Sequence, residues 1–306
     1  MPQDEFGWFY TGMNIRRNYN STIRGNEIRN CKNEAFHMPR ARNNTITQNI
    51  VTRDWHCDQD DSHDAFYFGE QSYNNYFSEN VININNGAYG ADNDGQGYRR
   101  THNFFGFHGS SDNRDNTFVR NSVTVGIPYD DNSAHQNRGF GYLGNNAVLE
   151  GNKVTVYNYT NTWGQNDHDS RGRNSSCVYG YGQVTSTNDT LVMSDNTMGI
   201  HANILNMSGT VISNANPYQT EYFEAVYADG SLDMDEVTIT GSRYPVHFDG
   251  TSGTIKNTTI VSIGDDGITA TNASANLNIE RLTLIGSGTA VGLDMEDGVT
   301  LNMNSS

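Results

Sequence analysis

The densest run of chemically capable side chains is RDWHCDQDDSHDAFY, Arg53 to Tyr67. Asp58, Asp60, Asp61 and Asp64 offer hard carboxylate oxygens, the ligand type that calcium prefers. His63 and Tyr67 are groups able to take or give a proton, and Trp55 adds a flat ring face. Further along, NNGAYGADNDGQGYRRTHN (Asn85 to Asn103) holds Arg99 and Arg100, planar cations suited to pairing with a carboxylate. GIPYDDNSAHQNRG (Gly126 to Gly139) and YNYTNTWGQNDHDSRGRNS (Tyr157 to Ser175), the latter with Trp163, complete the set. Long loops on a rigid scaffold are where binding and catalysis concentrate, although such loops also take up polar residues simply because they face water.

All four stretches occupy one address in a repeat. Around Asn26, Asn49, Asn80, Asn121, Asn152 and Asn196 an apolar residue stands three before (Ile23, Ile46, Phe77, Phe118, Leu149, Met193) and another two after (Ile28, Val51, Ile82, Val123, Val154, Met198). Apolar positions at minus five and minus three, then plus two and plus four, read as two strands of period two, separated by a bend. Asn is expected at that bend, stacked on its copies, because it tolerates left-handed backbone. A third strand recurs as EAFHM, DAFYFG, FFGFHG, GFGYLG, CVYGYG, EAVYADG, YPVHFDG, DGITA and AVGLDM. The long stretches fall between the strand after the Asn and this third strand, so they should stack into one lateral wall.

If Phe36, Phe66, Phe105, Val226, Val246 and Ile268 point inward, alternation turns His37, Tyr67, Tyr227, His247 and Thr269 outward. Tyr142 and Tyr179 are expected to join that column. A file of Tyr and His at repeat spacing suits a sugar polymer, with ring faces for stacking and hydroxyl and imidazole groups for hydrogen bonds. It is equally what an aromatic ladder stabilising a sheet would look like.

With three strands per coil and Asn on Asn at one corner, the chain resembles the right-handed parallel β-helix of the pectate-lyase-like superfamily over nearly its whole length. The resemblance implies an all-β solenoid of about ten coils. It also implies that, in an enzyme, a base would remove the proton next to a sugar carboxylate, with calcium or Arg neutralising that carboxylate. His63 or Tyr67 would then be the proton carriers, Arg99 and Arg100 the carboxylate partners, and Asp58, Asp60, Asp61 and Asp64 the calcium ligands. Trp55, His37, Tyr142, Trp163 and Tyr179 would bind the glycan. GDDG at Gly264 to Gly267 is similar to the paired aspartates of polygalacturonase-like hydrolases, but no Gly-His-Gly follows and Asp-Gly recurs elsewhere as a plain turn.

The repeat runs through both halves of the 306-residue chain, favouring one elongated solenoid over two globules. Residues 1–222 should carry the insertions and residues 223–306 the regular coils. A net charge of −16 argues against nucleic acid or an anionic membrane as partner, and no apolar run is long enough to span a bilayer. The region after residue 200 has 13 acids against three bases, a difference of −10. Cys31 and Cys57 lie about one coil apart and could pair, or remain thiols like Cys177. Strand patterns reaching almost to both ends, without a covering helix, suit a segment of a larger assembly with end-to-end or lateral contacts. The expected function is an extracellular or cell-surface module that engages polysaccharide. A lyase or epimerase of uronate polymers, and a structural segment of a surface layer, fibre or phage appendage, are the alternatives.

Overall fold

The computed structural model describes residues 11–31, 33–53, 63–84, 102–126, 137–157, 175–194, 197–215, 224–264, 266–286 and 291–304. Among them every regular element is a strand, and no helix is long and apolar enough to cross a membrane. Ten strands, from Glu27–Arg29 to Thr283–Ile285, form one parallel sheet. Nineteen more form a second sheet built of two parallel runs, one carrying Tyr67 and the other Phe118. The two runs merge where Ser176–Thr187, Met198–Ser208 and Glu224–Asp235 each pass through both. Parallel sheets in a repeated register are consistent with a β-helix solenoid.

The Asn corner exists, with two differences. Asn26 Nδ2 donates to Asn49 Oδ1 at 2.9 Å, and Asn49 to Asn80, Asn80 to Asn121 and Asn121 to Asn152 each at 3.0 Å. The next acceptor is Asp189, whose Oδ1 takes Asn152 Nδ2 at 2.9 Å; Asn196 lies outside the described residues. The flanking methionines Met193 and Met198 mimic the repeat, but Met193 pairs with Val156 and so stands after the corner, not before it. Nor is the Asn the left-handed residue. That role falls one position earlier, on Gln48 (φ 57°), Glu79 (54°), Arg120 (50°) and Asn188 (54°), and on Gly25 and Gly151.

Position minus five, expected to be apolar, holds a second ladder: Asn44 Nδ2 to Asn75 Oδ1 and Asn75 Nδ2 to Asn116 Oδ1, both 3.0 Å and buried. The core between these corners is an aromatic stack. Phe36 lies on Phe66 (4.5 Å), Phe66 on Phe107 (5.3 Å), and Phe77 on Phe118 (4.9 Å). Cys31 and Cys177 are buried, and burial pushes the Cys177 thiol up to about 12. Cys57 lies outside the described residues, and its pairing with it.

The run that carries Tyr67 departs from strict alternation, and this departure shapes the site. Registered pairing aligns Asn14, His37, Tyr67, His108, Leu143, Tyr179, His201, Tyr227, His247, Thr269 and Asp294 in one outward column. The residue before each is inward, as expected, but so is the residue before that. At this bend the side chains are small: a Cβ on Gly106 would stand 2.5 Å from Val123 Cγ1, and one on Gly141 would stand 2.2 Å from Val154 Cγ1. The residue three before therefore returns to the outer face, beside the column. Phe105 is such a residue. Phe107, not Phe105, takes the core place opposite Phe66, and Phe105 packs outside with Phe140 and Leu143. Tyr142 pairs with Phe107 and is 1% exposed, so it belongs to the core, and the outward residue of its strand is Leu143.

Candidate functional site

Where the column begins, a cleft of about 580 Å³ opens, lined by Arg16, Arg17, Glu34, His37, Arg40, Asp64, Tyr67, Glu70 and His108, with Pro39. Its volume is in the range of small-molecule and substrate sites. The bend just described builds it, because Glu34 and Asp64 stand three residues before His37 and Tyr67 and are thereby turned onto the same face as the rings.

Asp64 is the anchor. Its side chain is 1% exposed and its Oδ2 meets His108 Nδ1 at 2.9 Å. Its Oδ1 is buried with no partner among the described residues. Burial raises the Asp64 pKa above the usual carboxylate range, an effect that the charge and hydrogen bond of His108 partly offset. With Asp64 ionised, His108 Nδ1–H donates to it, and Nε2 is left as the basic nitrogen of the ring. The His108 ring is fixed from both sides. Phe105 stacks on it at 4.1 Å and Tyr67 meets it edge-on at 5.3 Å.

Tyr67 lies between two imidazoles, since His37 stacks on its other side at 5.2 Å. Room for its phenol comes from Gly69, where a Cβ would stand 2.3 Å from Tyr67 Oη. Burial first, and then the carboxylates of Glu70, Asp64, Glu34 and Asp112, raise the Tyr67 pKa. The phenol is thus protonated at neutral pH and a weaker acid than a free tyrosine, although still a stronger acid than the alcohol of a sugar. His37 Nδ1 lies 3.4 Å from Glu34 Oε1, and Arg40 Nε lies 3.2 Å from Glu70 Oε2 at the rim.

Of the residues expected from sequence, Tyr67, His37 and Asp64 meet in this cleft, Asp64 as the partner of His108. Tyr179 is on the same column further along, in ring contact with Phe140 and His201. His63 opens the strand that carries Tyr67, but its side chain is outside the described residues, as are Trp55, Asp58, Asp60, Asp61, Arg99, Arg100 and Trp163. No group of three or more His, Cys, Asp or Glu among the described residues is placed to hold a metal ion. Sequence reasoning missed His108, Glu34 and the arginines Arg16, Arg17 and Arg40. For His108 a signal was present: aligning Phe107 of FFGFHG with Phe66 of DAFYFG puts His108 opposite Tyr67.

Comparison with known proteins finds no matching family model, curated protein or solved structure.

Proposed function

We propose that this chain is an extracellular or cell-surface right-handed parallel β-helix, three strands to the coil, whose outward column engages an acidic polysaccharide at His37, Tyr67 and His108. In this reading, the Asp64–His108–Tyr67 cleft acts on the bound uronate. The observation that carries it is a buried carboxylate holding one nitrogen of an imidazole whose ring also touches a protonated phenol, within an arginine-lined cleft.

In this account Arg16, Arg17 and Arg40 pair with the uronate carboxylate and acidify the neighbouring C–H. His108 Nε2 takes that proton. The electron pair forms the C4=C5 double bond as the C4–O bond breaks, and the Tyr67 hydroxyl protonates the departing oxygen. Each proton taken is matched by one given, so no further reactant is needed. Return of a proton to the opposite face of the ring, without C–O cleavage, would give the epimer instead.

A panel of uronate-containing polysaccharides tests the reading. Elimination raises ultraviolet absorbance, epimerisation changes the sugar's NMR spectrum at flat absorbance, and binding alone leaves a recognition module. No binding to any polymer, together with end-to-end association, would favour the structural segment. Calcium at Asp58, Asp60, Asp61 or Asp64 belongs to the same proposal. Titration of metal-stripped protein should then give heat and a higher melting temperature, and neither change would remove it.

A further inference from the structure

The His37–Tyr67–His108 column with its carboxylate occurs twice. Five positions further along, the column reads His201, Tyr227, His247. Glu224 stands three residues before Tyr227 as Asp64 does before Tyr67, and its Oε1 meets Nδ1 of the next imidazole, His247, at 2.9 Å, the same distance as in the first set. The rings touch in the same order, His201 to Tyr227 at 4.8 Å and Tyr227 to His247 at 4.7 Å. The second carboxylate oxygen, Glu224 Oε2, is again buried without a partner among the described residues. So is Nδ1 of His201, a residue only 7% exposed.

Two differences decide what the second set is for. His247 Nε2 is already engaged, 3.3 Å from Thr271 Oγ1, which in turn donates to Asp249 Oδ1 at 2.9 Å. It is therefore not the open basic nitrogen that His108 presents. The charges beside it also differ. Where the first set has Arg16, Arg17 and Arg40, the second has Asp229, 2.9 Å from His201 Nε2, and Asp249. Such acceptors suit the hydroxyl groups of an uncharged sugar and repel a uronate carboxylate.

We propose that Glu224, His247, Tyr227, Asp229 and Asp249 form a second saccharide site, which holds uncharged sugars of the same polymer without reacting with them. The proposal rests on the polysaccharide reading of the first cleft. Five strand spacings separate Tyr67 from Tyr227, about 24 Å along the sheet, so one extended chain on this face reaches both sites. The polymer that fits is mixed, with uronate at the first site and neutral sugar at the second.

The test compares a uronate homopolymer with a mixed uronate and neutral-sugar polymer, on wild type, Glu224→Gln and His247→Gln. Two linked sites predict at least tenfold tighter binding of the mixed polymer by wild type. Both variants should lose that preference while keeping homopolymer affinity, and homopolymer turnover should be unchanged, which also reports that they are folded. Equal preference in wild type and variants would overturn the second site, as would equal affinity of wild type for the two polymers. Absence of turnover with the preference intact would overturn the chemistry assigned to the first cleft and leave the second site standing.

Discussion

Replacing Asn80 by alanine removes four side-chain hydrogen bonds from the centre of the corner ladder. Its Oδ1 accepts from Asn49 N and Asn49 Nδ2, both at 3.0 Å, and its Nδ2 donates to Asn121 Oδ1 at 3.0 Å and Ile46 O at 2.9 Å. The residue is fully buried, so water does not replace these partners. At about 1 kcal/mol net per bond the loss comes to about 4 kcal/mol. Asn26→Ala at the half-buried end of the ladder removes only the Nδ2 bonds to Asn49 Oδ1 and Arg24 O, and at the same rate should cost at most about 2 kcal/mol. Asn80→Asp separates polarity from shape: it keeps the one oxygen that accepts both bonds from Asn49 but turns an oxygen toward Asn121 Oδ1 and Ile46 O. At neutral pH it should be at least as damaging as alanine, since a buried charge would then face two acceptors. Urea denaturation of the four proteins gives the comparison. Equal midpoints for Asn80→Ala and Asn26→Ala, or a wild-type midpoint for Asn80→Asp, would refute the directional ladder.

At the ladder's far end the logic reverses, because Asp189 accepts from Asn152 and from Ser186 Oγ while burial raises its pKa. A raised folded pKa means that wild-type stability falls as pH rises through that range, so Asp189→Asn should gain about 1 kcal/mol at neutral pH, and the gain should shrink on acidification. A pH series of urea midpoints reads this; a gain independent of pH would contradict it. Phe118→Ala should cost about 3 to 5 kcal/mol, given its 1% exposure and stack on Phe77, and the same urea series measures it. Tyr142→Phe should lose only the Oη bond to Asn145 O and leave polysaccharide affinity unchanged, whereas a binding loss measured by calorimetry would return Tyr142 to the outer column.

Much of the fold was legible because one rule, an apolar residue three before an Asn and another two after it, repeats through long stretches of chain. That rule fails where polar side chains satisfy each other across repeats. Asp189 with Ser186 replaces an Asn and an apolar residue, and Asn44, Asn75 and Asn116 fill a place that looked apolar. The second ladder depends on partners 31 to 41 residues away, and Asp189 takes its place in the first through Asn152, 37 residues away, pairings invisible to local pattern. The site was half legible for a related reason. Period two correctly turns His37 and Tyr67 outward, but it assigns Asp64 and Phe105 to the opposite face. Only the tight approach at Gly106 and Gly141 reveals the bend that brings the carboxylate to His108.

The central claim is that His108 removes the proton beside a uronate carboxylate, and isotope exchange reads that step whether elimination or epimerisation follows. Uronate polymer incubated with the protein in deuterated buffer should lose its C5 proton signal by NMR, through deuterium uptake or through formation of the double bond. Asp64→Asn and His108→Gln, both compared with wild type at matched thermal stability, should slow that loss by about 10² to 10⁴. Full retention of the C5 proton with every uronate polymer that wild type binds, or loss at the wild-type rate in His108→Gln, would contradict the assignment.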